Sequence, residues 1–109
     1  MIDLNQKKCV SCEGGVEPLN RQKIEEYLPA INPEWEVVED KMLKRRFKFK
    51  DFKEAMEFVN KVAILAESEG HHPDIKINWN KVTLELSTHA IGGLSENDFI
   101  MAAKTEGLS

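Results

Sequence analysis

No stretch of this chain approaches the ~18 consecutive apolar residues that a membrane-spanning helix needs. Its start, Met1-Ile2-Asp3-Leu4-Asn5, is polar and lacks the apolar core of a secretory signal, so a cytoplasmic location is expected. A basic excess is missing too. Lys and Arg number 15 against 19 Asp and Glu, a formal charge of -4. That excludes adhesion to nucleic acid by bulk charge, and no direct nucleic-acid binding is expected. Cysteine is scarce: there are only two, Cys9 and Cys12, which in the cytoplasm are reduced thiols. Histidine is nearly as scarce, with three residues, yet two of them are neighbours.

What is present is ordinary globular composition, 31% charged and 41% apolar. A chain of 109 residues is expected to form a single domain, 1–109, with a modest core that an additional interface would help. Residues 1–17 carry Gly14 and Gly15 and little periodicity, and read as a loosely held segment. Asn20 caps a first helix that presents Ile24, Tyr27 and Leu28 and stops at Pro29. Residues 34–39 and 42–50 alternate, and Asp40-Lys41 joins them into a hairpin. In the second run Leu43, Phe47 and Phe49 share one face, with Arg45 as the exception, against Lys44, Arg46, Lys48 and Lys50.

Asp51 and Glu54 form a capping-box-like start for a long helix with its apolar stripe at Phe52, Ala55, Val59, Val62 and Ala66, widened by Met56 and Ala63. Gly70 is its natural stop. Two more alternating runs follow, Ile75-Ile77-Trp79 and Val82-Leu84-Leu86, turning at Asn80-Lys81. Ser95 opens a last helix with Phe99, Ala102 and Ala103. The order helix-strand-strand-helix-strand-strand-helix predicts an α+β fold: a four-stranded antiparallel sheet with three helices on one face. Its open face and edges invite self-association.

The chemistry concentrates at His71-His72-Pro73. Imidazole is the side chain suited to moving protons near neutral pH. Glu67 lies four residues before His71, offset by only about 40° on a helix, and on the margin of the apolar stripe. It is expected to be partly shielded and to point where His71 points. Pro73 forces His72 to extended backbone, so the two imidazoles must face different ways. One is expected to transfer protons, the other to orient a ligand. The hairpin at Asn80-Lys81 returns His89 towards the start of the third strand, which predicts that the three histidines converge.

Other candidates have plainer readings. Asp98, in Ser95-x-x-Asp98, is at least as well explained as a helix cap as by catalysis. Trp79 alternates with Ile75 and Ile77 and is expected in the core, with a place in the site as the alternative. Cys9-x-x-Cys12 is half of a zinc site without a second cysteine pair, so no metal is expected. The stripe Lys44-Arg46-Lys48-Lys50 is a solvent face paired with Glu34, Glu36 and Asp40, or a patch for a protein partner.

The full pattern is Glu67, three residues, His71-His72-Pro73, five residues, Trp79, nine residues, His89, eight residues, Asp98. It resembles the signature of the pterin-4a-carbinolamine dehydratases, and Cys9-Val10-Ser11-Cys12-Glu13-Gly14-Gly15 resembles the start of bacterial members. The likeness runs from about the first helix to the end. It implies dehydration of 4a-hydroxytetrahydropterin to quinonoid dihydropterin in pterin recycling, with no cofactor. It implies His71 and His89 as acid and base, and His72 as an orienting residue that could share proton work. Glu67 would tune or orient a histidine, or bind the substrate by accepting from ring N–H groups. Pro73 and the segment Thr88-His89-Ala90-Ile91 would line the pterin, the latter with backbone groups. A homodimer or homotetramer is implied as well. Two positions depart from relatives: Gly70 stands where some have a polar residue, and Ile75 where animal members have an aromatic one. Relatives also act as dimerisation, coactivator or assembly factors, so a non-catalytic role on a protein partner is the alternative reading.

Overall fold

Local stop signals divide the chain in a computed structural model that describes residues 4–9 and 17–108. The Asn20 side chain accepts the Lys23 N–H at 2.9 Å and opens α1, Arg21–Tyr27. Pro29 sits in a 3-10 turn, Leu28–Ala30, that ends it. Strands β1 (Glu36–Val38) and β2 (Met42–Lys48) follow, joined through Glu39 and Asp40 at φ 52° and 57°. Asp51 accepts the Glu54 N–H at 2.9 Å and opens α2, Phe52–Glu69. Gly70 closes it in left-handed conformation, φ 67°, where a side chain would be strained. Strands β3 (Asp74–Asn78) and β4 (Lys81–Leu86) form the second hairpin, and α3 spans Glu96–Glu106 behind a Ser95/Asp98 capping box.

The sheet runs β1-β2-β4-β3, antiparallel throughout. Its buried side presents Leu43, Phe47, Val82, Leu84 and Leu86. Against them lie Ala55, Phe58, Val62 and Ala66 of α2, and Phe99 and Ile100 of α3. The expected α+β arrangement, three helices on one face of a four-stranded antiparallel sheet, holds among the described residues. The other face is polar. Lys44, Arg46 and Lys48 are exposed, and Glu36 stands opposite Lys44 in register. Asp40 does not serve this stripe; Arg21 of α1 binds it at 3.0 Å.

Several side chains lie elsewhere than the patterns predict. Phe58, not Phe52, is the buried aromatic of α2; Phe52 and Ala63 are exposed because the stripe is turned by part of a residue step. Trp79 is 63% exposed and Ile77 41%, since β3 is an edge strand and no helix covers its far end. Trp79 is also a turn residue with φ 51°, so period-2 alternation does not reach it. Arg45 does face inward. It is accommodated by an ion pair with Glu106 and by its guanidinium lying 4.2 Å from the Phe47 ring centre.

The first residues make specific contacts where described. Leu4 is buried in a 3-10 turn, Leu4–Gln6, Lys7 binds Glu96 at 2.9 Å, and the Cys9 N–H donates to Glu69 at 2.8 Å. Cys12, Gly14 and Gly15 lie outside the described residues.

Candidate active site

The end of α2 and the start of β3 carry the histidine pair. After the Gly70 turn, the His71 N–H still donates to the Ala66 carbonyl at 3.3 Å, which fixes where the first imidazole starts. Its Nε2 lies 2.7 Å from Oδ1 of Asp98. Asp98 is fully buried at the first turn of α3. Its other oxygen accepts the Thr88 hydroxyl at 2.9 Å and the Ser95 N–H at 3.0 Å. A carboxylate accepts from all three donors, so Nε2 of His71 is the donor to Asp98 and Nδ1 is left outside this contact. Burying a charge is tolerable only with such partners. Asp98 is therefore both the helix cap and the hydrogen-bond partner of an imidazole.

His72 faces elsewhere. Its Nε2 lies 2.5 Å from Glu67 Oε2, and both side chains are exposed, at 59% and 79%. This corrects the expected role of Glu67, which serves His72 rather than His71 and is not shielded. An exposed pair of this kind contributes little stability, about 0–1 kcal/mol.

The β3–β4 register pairs Asp74 with Glu85. Continued three residues outward it sets His71 opposite Thr88, which agrees with both side chains binding Asp98. His89 comes next, in an exposed 3-10 turn, His89–Ile91, closed by Gly92 at φ 69°. It lines an open cavity of about 340 Å³ between the β1–β2 turn (Glu39, Lys41, Met42) and Ser87 and Gly92. Among the described residues no hydrogen bond joins His89 to His71 or His72; its link to His71 runs through the chain to Thr88 and thence Asp98. Pro73 and Ile91 are half-buried and Ala90 is exposed. The Thr88 N–H and carbonyl bond Gly93, and the His89 carbonyl accepts from Gly92, so part of the backbone expected to meet a ligand is already engaged.

Two features escape sequence patterns. The Thr88 hydroxyl also bonds the Ser95 hydroxyl at 2.7 Å, tying the loop after β4 to α3. Lys104 donates to Glu69 at 2.7 Å, a nearly buried ion pair between α3 and the end of α2. Burial opposes the charge of Glu69, but the bonds from Lys104 and the Cys9 N–H outweigh it and hold its pKa below the ordinary 4.5. Burial, then the charge of Glu69, push the Cys9 thiol up to about 12. Among the described residues no group of three or more His, Cys, Asp or Glu side chains is arranged to hold a metal ion.

The profile of a family described as pterin 4 alpha carbinolamine dehydratase matches residues 17–108. The chain belongs to that family. A candidate pterin-4-alpha-carbinolamine dehydratase of Alkaliphilus metalliredigens is 48% identical over 106 residues, 97% of this chain and 96% of that one. One from Rickettsia canadensis is 47% identical, with 97% of each chain covered. Family membership extends to solved folds. The crystal structure of a transcriptional coactivator/pterin dehydratase from Brucella melitensis superposes with TM-score 0.78 at 34% identity, covering 84% of this chain and 98% of that one. A pterin dehydratase-like protein identified as a RuBisCO assembly factor in the alpha-carboxysome gives TM-score 0.59 at 26% identity, covering 69% and 88%.

Proposed function

We propose that this member of the family dehydrates a 4a-hydroxytetrahydropterin to the quinonoid dihydropterin, as a hydro-lyase in pterin recycling. The observation that carries the reading is the His71–Asp98 pair, a half-buried imidazole on a fully buried carboxylate beside the loop that bears His89. In the reaction the C4a hydroxyl is protonated, the C–O bond breaks and water leaves. N5 then loses its proton as the C4a=N5 bond forms. A general acid and a general base suffice, each step worth about 10² to 10⁴ in rate.

His71, held by Asp98 at Nε2, works through Nδ1. His89, exposed at the cavity, takes the complementary proton role. His72 orients the ring and Glu67 steadies it. Pro73 and the 88–91 loop shape the site, and Trp79, exposed at a turn, takes no part. Asp98 acts through His71 as a positioning residue. The chain works as one cytoplasmic domain, 1–109, in a homo-oligomer. Among the described residues no helix is long and apolar enough to cross a membrane.

The similarity to a coactivator and to an assembly factor favours one second reading, a role on a protein partner. The deciding experiment follows the absorbance of freshly generated 4a-hydroxytetrahydropterin with the parent, His71→Ala and His89→Ala. The parent is expected to accelerate dehydration and each variant to lose most of the acceleration. A folded parent no faster than buffer would sink the enzymatic reading. A partner function that survives both substitutions would establish the second.

A further inference from the structure

We propose that Glu69 and Lys104 are positioning residues for the His71–Asp98 pair, with the Cys9 segment as the third member of the junction. This rests on the dehydratase reading for its kinetic consequence, though not for its geometry.

Two fastenings join the same two pieces of chain. Glu69 is the last residue of α2, and His71 follows one glycine later. Lys104 and Asp98 both belong to α3, six residues apart. Lys104 binds Glu69 at 2.7 Å and Asp98 binds His71 at 2.7 Å. The first contact sets the end of α2 against α3, and therefore sets how His71 approaches Asp98. The ion pair is nearly dry, 16% and 7% exposed, so its geometry is stiff in a way that a solvated pair is not.

The carboxylate of Glu69 is held from both sides. Oε2 accepts from Lys104 and Oε1 from the Cys9 N–H at 2.8 Å. The Cys9 thiol in turn donates to the Asn97 carbonyl at 3.7 Å, next to Asp98 in the chain. With its pKa pushed up to about 12 the thiol stays protonated and is a donor rather than a nucleophile. The N-terminal segment thus touches the residue two before His71 and the residue one before Asp98. Placement of a proton-transfer group is costly to disturb, since a shift of about 1 Å can lower a rate about 10²-fold.

The test uses full-length Lys104→Met, Lys104→Arg and the double variant Glu69→Gln/Lys104→Met. In the double variant no charge is left buried alone, and the oxygen of the introduced amide keeps an acceptor for the Cys9 N–H. Each is checked for folding by thermal melting. The His71 Nε2 proton is followed by ¹H–¹⁵N NMR, and kcat and KM for dehydration are measured. Lys104→Met and the double variant are expected to shift or broaden the His71 resonance. They should lower kcat about tenfold with KM within about twofold, an estimate below the 1 Å penalty. Lys104→Arg, which preserves the ion pair, should keep both near the parent. A folded double variant with the parent's resonance and the parent's kcat overturns the proposal. If the parent itself shows no dehydratase activity, the enzymatic reading fails and the resonance alone decides the positioning claim.

Discussion

Replacing Asp98 with Asn changes almost no volume, yet it should reverse the tautomer of His71. The carboxylate meets three donors: His71 Nε2–H at one oxygen, and Thr88 Oγ–H with Ser95 N–H at the other. An amide has one oxygen. It is best placed towards the two donors, which leaves its NH₂ facing His71. Nε2 must then accept, so the imidazole proton moves to Nδ1, and the atom assigned to proton exchange in the proposed dehydratase reading is no longer free to take one. The consequence for kcat is a loss of about 10²- to 10⁴-fold, the range found when an orienting aspartate of a catalytic histidine is made asparagine or an acid–base group is removed. Loss of charge-assisted bonds costs about 1–2 kcal/mol of stability, too little to unfold a typical domain. Dehydration kinetics and the ¹⁵N shifts of His71 at neutral pH check both halves. A folded Asp98→Asn protein that keeps Nε2 protonated, or that keeps half the parent's rate, would refute the reasoning.

Other perturbations have definite signs. The pKa of Glu69 is depressed by folding, so its contribution is complete above the ordinary 4.5 and fades as pH falls through the lower folded value; urea titrations from pH 7 down to pH 3 should show that acid loss, and Glu69→Gln should flatten it. A Cβ on Gly93 would sit 2.7 Å from the Pro18 Cβ, so Gly93→Ala should cost about 1–3 kcal/mol by denaturant unfolding. At Gly92 the same Cβ meets nothing, but φ is 69°, and Gly92→Ala should cost only about 1–2 kcal/mol. Trp79→Asn should raise stability by roughly 0.5 kcal/mol, because asparagine tolerates the left-handed turn position better, and should leave dehydration unchanged; a large loss of rate would return Trp79 to the site.

What could be read along the chain was whatever is decided within a few residues. Asn20, Gly70 and the Ser95/Asp98 box each act on the turn beside them as their spacing predicts, and Asp51 caps α2 although Glu54 reaches back to the Lys50 N–H instead of closing a box. The alternation of Leu43 with Phe47 and of Val82 with Leu86 needed only a covered face. The failures are non-local. Trp79 looks like a strand residue until the edge position of β3 and the turn at its end are known. Glu67 looks bound to His71 at four-residue spacing, but Gly70 turns the backbone before His71 and leaves Glu67 to His72. Asp98 has a local signal only as a cap, while the family pattern groups it with the histidines; its contact with His71 depends on Thr88 and His71 arriving from two other elements. Glu69 and Lys104 are 35 positions apart and carried no local signal.

The division of His71 and His72 between Asp98 and Glu67 makes this stretch sensitive to parity rather than to composition. Extended backbone sends successive side chains to opposite sides, so inserting or deleting one residue between Gly70 and Asp74 would exchange the two environments. The imidazole that now rests on a buried carboxylate would meet water, and its neighbour would be driven against α3. Most single substitutions in the segment alter one contact, whereas a single-residue change in length reassigns both. The distance in sequence from the helix stop to the first paired strand residue is therefore as much a part of the site as the histidines that lie within it.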